Sequence, residues 1–79
     1  MTVYKIYAKH EDKMIEKFGR GYYPRYSKNG MLYYSKNVAL KNLAKANEYK
    51  EESLKNKNLN QEVVKLIEFE LKTYEMKEV

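Results

Sequence analysis

Apolar and polar residues alternate near the start of the chain, and this pattern predicts a β-strand over residues 3–9. Ile6 and Ala8 fall on one face of that strand, and Val3 and Tyr7 fall on the other. The segment is also rich in β-branched and aromatic residues, which favour strands. We therefore expect the first face to be buried and the second to meet solvent or a partner subunit.

The spacing of apolar residues changes after this strand. Met14, Ile15 and Phe18 recur at helical intervals, so a short helical turn is predicted within residues 10–18. Residues 19–30 contain all three glycines and the one proline, and they end on an Asn-Gly pair that is typical of turns. This second segment is predicted to be a loop.

A short strand and the main helix are predicted next. Residues 31–35 are predicted to form the second strand, and Ser35 is a good N-terminal cap for a helix over residues 38–54. The apolar stripe of that helix consists of Ala39, Leu40, Leu43, Ala46 and Leu54.

The final element, residues 62–74, fits two structures. As a strand it places Ile67, Phe69 and Leu71 on one face, with glutamates between them. As a helix it aligns Val63, Ile67 and Leu71 nearly as well. Periodicity leaves both open, and we favour the strand because its alternation is clean and three strands cover a helix better than two.

These elements predict an α+β fold of one domain, residues 1–79. The expected order is β-β-α-β, in a three-stranded sheet of spatial order 2-1-3, with the helix on one face. A helical final element is the alternative. Because a domain this small gains from burying Val3 and Tyr7 against a copy of itself, we also expect a homodimer.

Composition favours a binding protein over an enzyme. The chain has no cysteine and one histidine, His10, which we expect on an exposed loop beside two acidic residues. We find no pattern for a nucleophile with its base, a metal site or a cofactor, so none of these is expected. No signal peptide or apolar span is apparent, which predicts a cytoplasmic protein that does not enter membranes.

The positive charge is concentrated in one segment. Residues 13–45 carry eight positive side chains and one acid, a net of +7, although the whole chain has a net charge of only +5. Lys, Asn and Tyr are also abundant, as AT-rich coding sequences tend to produce, so the total lysine content says little about a partner. The uneven distribution is the more informative feature, since it can attract an anionic partner.

Arginine and tyrosine are concentrated in residues 18–36, which hold both arginines and five of the nine tyrosines. Arg and Tyr anchor protein interfaces, and the same residues with Lys suit phosphate binding and base stacking. The predicted binding residues are Arg20, Tyr22, Tyr23, Arg25, Tyr26, Lys28 and Tyr33, with Lys36, Lys41 and Lys45 as a charged flank.

The same residues resemble a group of short tailed-phage proteins of low-GC bacterial hosts. Its pattern is a strand, a Gly-x-x-Pro-x-aromatic-Ser-Lys-x-Gly loop, an aromatic strand, a Leu-Lys-x-x-Leu helix and an Ile-x-Glu-aromatic-Glu-Leu strand. The matching residues are Gly21, Pro24, Tyr26, Ser27, Lys28, Gly30, Tyr33, Tyr34, Leu40, Lys41, Leu43 and residues 67–71. The resemblance implies a phage origin and supports the final strand, but it implies no activity.

The function predicted from these features is binding to a host or phage protein with an acidic surface. Such a protein acts as an inhibitor or adaptor, for instance against a host defence, in the bacterial cytoplasm. The alternative is binding of nucleic acid or a nucleotide, including sequestration of a nucleotide signal. We favour the protein partner because codon bias explains the lysines but not the cluster of Tyr and Arg.

Overall fold

Four antiparallel strands, with one long helix packed against them, form the fold in the computed structural model, which describes residues 1–18 and 23–77. The elements are β1 Thr2–Ala8, β2 Lys13–Phe18, β3 Pro24–Ser27, α1 Lys36–Lys55, α2 Gln61–Val64 and β4 Phe69–Glu75. The order across the sheet is β3-β2-β1-β4. The predicted α+β class is confirmed, whereas the predicted three strands are too few. The prediction of a loop over residues 19–30 is wrong at residues 24–27, which form β3.

The final element, predicted as either a strand or a helix, is helical at its start and a strand at its end. Asn60 caps the short helix α2 by accepting a hydrogen bond from the backbone N–H of Glu62 at 3.1 Å. The chain then becomes a strand, and β4 pairs with β1 along its whole length, from Thr2 opposite Glu75 to Ala8 opposite Phe69. The favoured strand is therefore correct for residues 69–75, where the alternation is cleanest.

The predicted helical turn within residues 10–18 is wrong, because β2 occupies residues 13–18. The pairing of β2 with β3 shifts between Ile15 and Lys17, which leaves Glu16 as the extra residue of a β-bulge. The bulge lets Ile15 and Phe18, three residues apart, contact the same core. Apolar residues three positions apart are typical of a helix, which is why the sequence pattern predicted one here.

The predicted strand over residues 31–35 is reduced to one antiparallel bridge between Tyr4 and Tyr33. Their backbones exchange two hydrogen bonds of 2.8 and 2.9 Å. The bridge lies on the side of β1 opposite β4, so the segment occupies the position that the sequence predicts for a strand. Upstream, Gly30 has a φ of 72° and donates its N–H to the Ser27 hydroxyl at 2.8 Å.

Helix α1 begins where the sequence predicts. Ser35 caps it by accepting a hydrogen bond from the Val38 N–H at 3.4 Å. Its buried positions recur every seven residues at Ala39, Ala46 and Ser53. Leu40 and Leu54, predicted to lie in the apolar stripe, are 43% and 37% exposed, because the two buried alanines set the side of the helix that meets the sheet.

The core lies between α1 and one face of the sheet. Its buried residues are Ile6, Ile15, Tyr33, Ala39 and Ala46, and the half-buried residues around them are Tyr4, Phe18, Tyr26, Leu43, Phe69 and Leu71. On the opposite face, which we call the open face, Val3 is only 1% exposed. The expectation that Val3 meets solvent or a partner is therefore wrong, and a homodimer needs another basis.

Lysines and tyrosines interlock on the open face beside Val3. The ammonium nitrogen of Lys72 lies 4.0 Å from the centre of the Tyr7 ring, and that of Lys5 lies 5.5 Å from the Tyr74 ring. These cation–π contacts cross between β1 and β4. The rings of Tyr7 and Tyr74 are therefore each in contact with a lysine of the same chain.

Candidate functional site

A cleft of about 290 Å³ opens between the end of β2 and the middle of α1. Lys17 enters it from β2, and Lys45 enters it from α1. The other lining residues are Glu16, Phe18, Met31, Tyr33 and Asn42. The β-bulge at Glu16 positions the strand side of this cleft, and the bridge at Tyr33 positions its floor.

Two further cations lie near this cleft but do not line it, and the Arg25 side chain is on the open face, because the adjacent Tyr26 packs into the core. Arg25 lies directly opposite Lys17 in the pairing of β2 with β3. Lys41 lies one helical turn before Lys45, so the two share a side of α1. Like charges placed opposite each other in a sheet are destabilising, and like charges four apart in a helix are too. We call the cleft lined by Lys17 and Lys45, with Arg25 and Lys41 nearby, the basic cleft.

The cations of the basic cleft have no acidic neighbours within salt-bridge distance in the described part of the chain. The salt bridges of lysine side chains join Lys9 to Glu68 and Glu70, Lys55 to Glu52, and Lys65 to Glu62. All of them lie outside residues 13–45, the segment of net charge +7. Glu16 is the one acid that lines the basic cleft among the described residues, and it forms no salt bridge there, so the lining keeps a net positive charge.

Buried aromatic residues form the floor of the basic cleft. Tyr33 is 8% exposed, and burial raises the pKa of its phenol above the usual 10. Phe18 packs against the same core. Met31, by contrast, is 49% exposed and offers a flexible apolar surface at the rim.

The predicted binding residues divide into several groups. Lys45 lines the basic cleft, Lys41 lies one turn before it on α1, and Arg25 lies opposite Lys17 on β3. Tyr26 and Tyr33 pack in or against the core. Lys28 and Lys36 are exposed but do not line the cleft. Two more predicted binding residues, Arg20 and Tyr22, lie outside the residues that the structure describes.

Tyr23, another predicted binding residue, lies beside a second cleft of about 370 Å³. Its ring centre is 5.4 Å from that of Tyr49, and the two rings are tilted by 58°. The lining includes Glu52 and Lys55, which form a salt bridge of 3.6 Å with each other. This second cleft is larger, but its charges are already paired, so it is a weaker candidate for an ionic partner.

His10 is not the exposed surface histidine that the sequence predicts. Its side chain is 15% exposed and packs edge-on against Tyr26 and Phe69, with ring centres 5.7 and 5.9 Å away. The Tyr26 hydroxyl lies 3.3 Å from its Nε2 atom. Burial raises the pKa of Tyr26 to about 12, with smaller contributions from Tyr49 and Glu11.

The raised pKa of Tyr26 predicts a loss of stability in alkali. The folded state favours the neutral phenol, so its stabilising effect is complete below pH 10 and is lost as the pH rises from 10 towards 12. We expect the free energy of unfolding, measured in urea, to fall over this range. Tyr26→Phe should make the fall shallower, whereas Tyr34→Phe, at a ring 62% exposed, should not. Equal slopes in both variants would contradict this assignment.

Sequence reasoning missed Lys17, Met31 and Asn42 as residues of one site. Lys17 was not predicted as a residue of the site because a helical turn was predicted within residues 10–18. Its position opposite Arg25 depends on a strand pairing that only the structure reveals. Asn42 lies one turn before Ala46 on α1 and donates its side-chain amide to the Val38 carbonyl at 2.9 Å. The one signal available was the excess of positive charge over residues 13–45.

Comparisons with protein-family models, curated proteins and solved structures find no match for this chain. The resemblance to tailed-phage proteins therefore stays a prediction. Within residues 1–18 and 23–77, no group of three His, Asp or Glu side chains is placed to hold a metal ion. No helix in the same part of the chain is long and apolar enough to cross a membrane.

Proposed function

We propose that this protein binds the acidic surface of another protein through its basic cleft and catalyses no reaction itself. The partner is a host or phage protein, and the binding protein acts as an inhibitor or adaptor in the bacterial cytoplasm. The phage context comes from the resemblance of its loop, helix and final strand to short tailed-phage proteins.

The observation that carries this proposal is a set of cations without salt-bridge partners. Lys17 and Lys45 line one cleft together with a single acid, Glu16. Arg25 and Lys41 lie near it, and none of the four cations has a carboxylate within 4.0 Å among the described residues. Such a surface accelerates encounter with an acidic partner and suppresses association with a basic one. It also costs stability through repulsion, which a binding role explains.

The surroundings of the basic cleft suit a protein partner. Met31 at its rim and the neighbouring Tyr34 are 49% and 62% exposed, and both residue types are enriched at protein interfaces. Of the tyrosines predicted for base stacking, Tyr26 and Tyr33 contribute to the core, whereas Tyr23 is 61% exposed and lies beside Tyr49 at the second cleft. The one tyrosine that lines the basic cleft among the described residues, Tyr33, is only 8% exposed. We therefore rank a protein partner above single-stranded nucleic acid at this cleft, because base stacking needs exposed ring faces there.

The proposal is tested by capturing partners from a lysate of a low-GC bacterial host, with and without nuclease. We expect one protein of acidic surface to be retained in stoichiometric amount after nuclease treatment, because the interaction does not pass through nucleic acid. The complex should weaken at high salt, mainly through slower association. Loss of every partner on nuclease treatment, with tight salt-dependent binding to an oligonucleotide, would replace the proposal by nucleic-acid binding.

A further inference from the structure

The outer edge of β4 is open to another strand. β4 is the last strand of the sheet, and β1 is its one strand neighbour in the described residues. The Lys9 N–H donates to the Glu68 carbonyl, and the Met76 N–H donates to the Met1 carbonyl. Backbone groups alternate along a strand. Those of residues 70, 72 and 74 therefore point at β1, and those of Phe69, Leu71, Thr73 and Glu75 point outwards.

This edge has few of the features that prevent further pairing. Proteins guard edge strands with proline, a bulge, a very short strand or charged side chains, especially lysine, and β4 has one lysine, Lys72. β4 is seven residues long, contains no proline and pairs with β1 without a shift in register. Four alternate residues of β4 thus offer eight outward-facing backbone groups in a regular row, none of which has a hydrogen-bond partner among the described residues.

The side chains of β4 complement those of an antiparallel copy in one register. If the two-fold axis passes through Leu71, Glu70 lies opposite Lys72 of the second copy, and Lys72 lies opposite its Glu70. Leu71 then faces its own copy on the helix side of the sheet. Opposite charges at facing positions stabilise a strand pair. The outward backbone groups of residues 69, 71 and 73 also meet each other in this register.

The neighbouring registers lack this complementarity. A two-fold axis at Lys72 places two lysines face to face, and one at Glu70 places two glutamates face to face. Facing like charges destabilise a strand pair. Within one chain both charged side chains contact residues of or beside β1: Lys9 lies 3.7 Å from a carboxylate oxygen of Glu70, and the Lys72 ammonium nitrogen lies 4.0 Å from the centre of the Tyr7 ring. Pairing in the Leu71 register therefore requires Glu70 and Lys72 to turn towards the second copy.

We propose that two copies of this protein pair through β4 in the Leu71 register and form one continuous eight-stranded sheet. Both α1 helices then lie on the same side of that sheet, because the two-fold axis is perpendicular to it. The pairing uses β4 and leaves Lys17 and Lys45 of each copy free. The dimer proposal is therefore independent of the function proposed for the basic cleft, and each can fail without the other.

Charge exchange tests the pairing in solution. By light scattering at high micromolar concentration, we expect the natural protein to have twice the 9.5 kDa mass of one chain. Glu70→Lys should weaken the dimer about tenfold or more, because two pairs of facing lysines arise. Glu70→Lys combined with Lys72→Glu should restore it. A monomeric natural protein, or a double variant no better than the single, would overturn the proposal.

Cross-linking tests the register, and the chain contains no cysteine to interfere. Facing residues of this kind have Cα atoms about 4.5 Å apart, which suits a disulfide. A mixture of Glu70→Cys and Lys72→Cys proteins should therefore form disulfide dimers faster than either protein alone. Circular dichroism of each variant confirms that it is folded. Equal rates for the mixture and the separate proteins would reject this register.

Discussion

Reversing both lysines that line the basic cleft, Lys17→Glu with Lys45→Glu, is expected to weaken binding of the captured partner about 100-fold or more. Each change replaces an attraction with a repulsion, and like charges facing across an interface cost several kcal/mol. A loss of about 3 kcal/mol corresponds to roughly two powers of ten in the dissociation constant. Calorimetry or surface plasmon resonance measures this loss directly.

The matched control is Lys57→Glu with Lys77→Glu. It changes the net charge equally, and both lysines are exposed and do not line the basic cleft. We expect a reduction of less than about fivefold, because distant charges act only through the screened field. If the control weakens binding as much as the cleft variant, the attraction is a property of net charge and the cleft is not the site.

The second large effect concerns stability, and it follows from the turn before Tyr33. Gly30→Ala is expected to destabilise the fold by roughly 2–5 kcal/mol. Gly30 has a φ of 72°, where a side chain costs about 1–2 kcal/mol. The new Cβ would also lie 2.3 Å from the Cβ of Met14, and crowding of this kind costs about 1–3 kcal/mol.

Urea denaturation measures the effect of Gly30→Ala, and Asn29→Ala provides the control. Asn29 is exposed, and it accepts a hydrogen bond from Lys5 through its backbone carbonyl, which alanine keeps. We expect this control to change the free energy of unfolding by less than about 0.5 kcal/mol. A Gly30→Ala protein as stable as the control would mean that the turn adopts another conformation.

The first strand, the main helix and the final strand could be predicted from local patterns. In each, the pattern has the period of the element: two in β1 and β4, and a capped helical repeat in α1. Residues 13–18 could not be predicted in this way. The bulge at Glu16 gives apolar residues a spacing of three, and nothing in the local sequence separates this from a helix.

The cations of the candidate site could be predicted better than its tyrosines. A charged side chain avoids burial, so the exposure of Arg25, Lys41 and Lys45 follows from residue type alone. A tyrosine is stable either in a core or at a surface. Tyr33 is buried and Tyr26 is half-buried because β1 and β2 lie beside them. Those neighbours depend on long-range pairing that a local pattern does not specify.

The most direct test of the basic cleft as a binding site is to map it on the isotope-labelled protein by nuclear magnetic resonance. The protein partner retained after nuclease treatment is titrated in, and the amide signals are followed. We predict that the shifted or broadened signals cluster at residues 16–18, 31–33 and 41–45, which line or border the basic cleft. A cluster at Tyr49 and residues 52–59, or on the open face around Lys5 and Lys72, would contradict the proposed site.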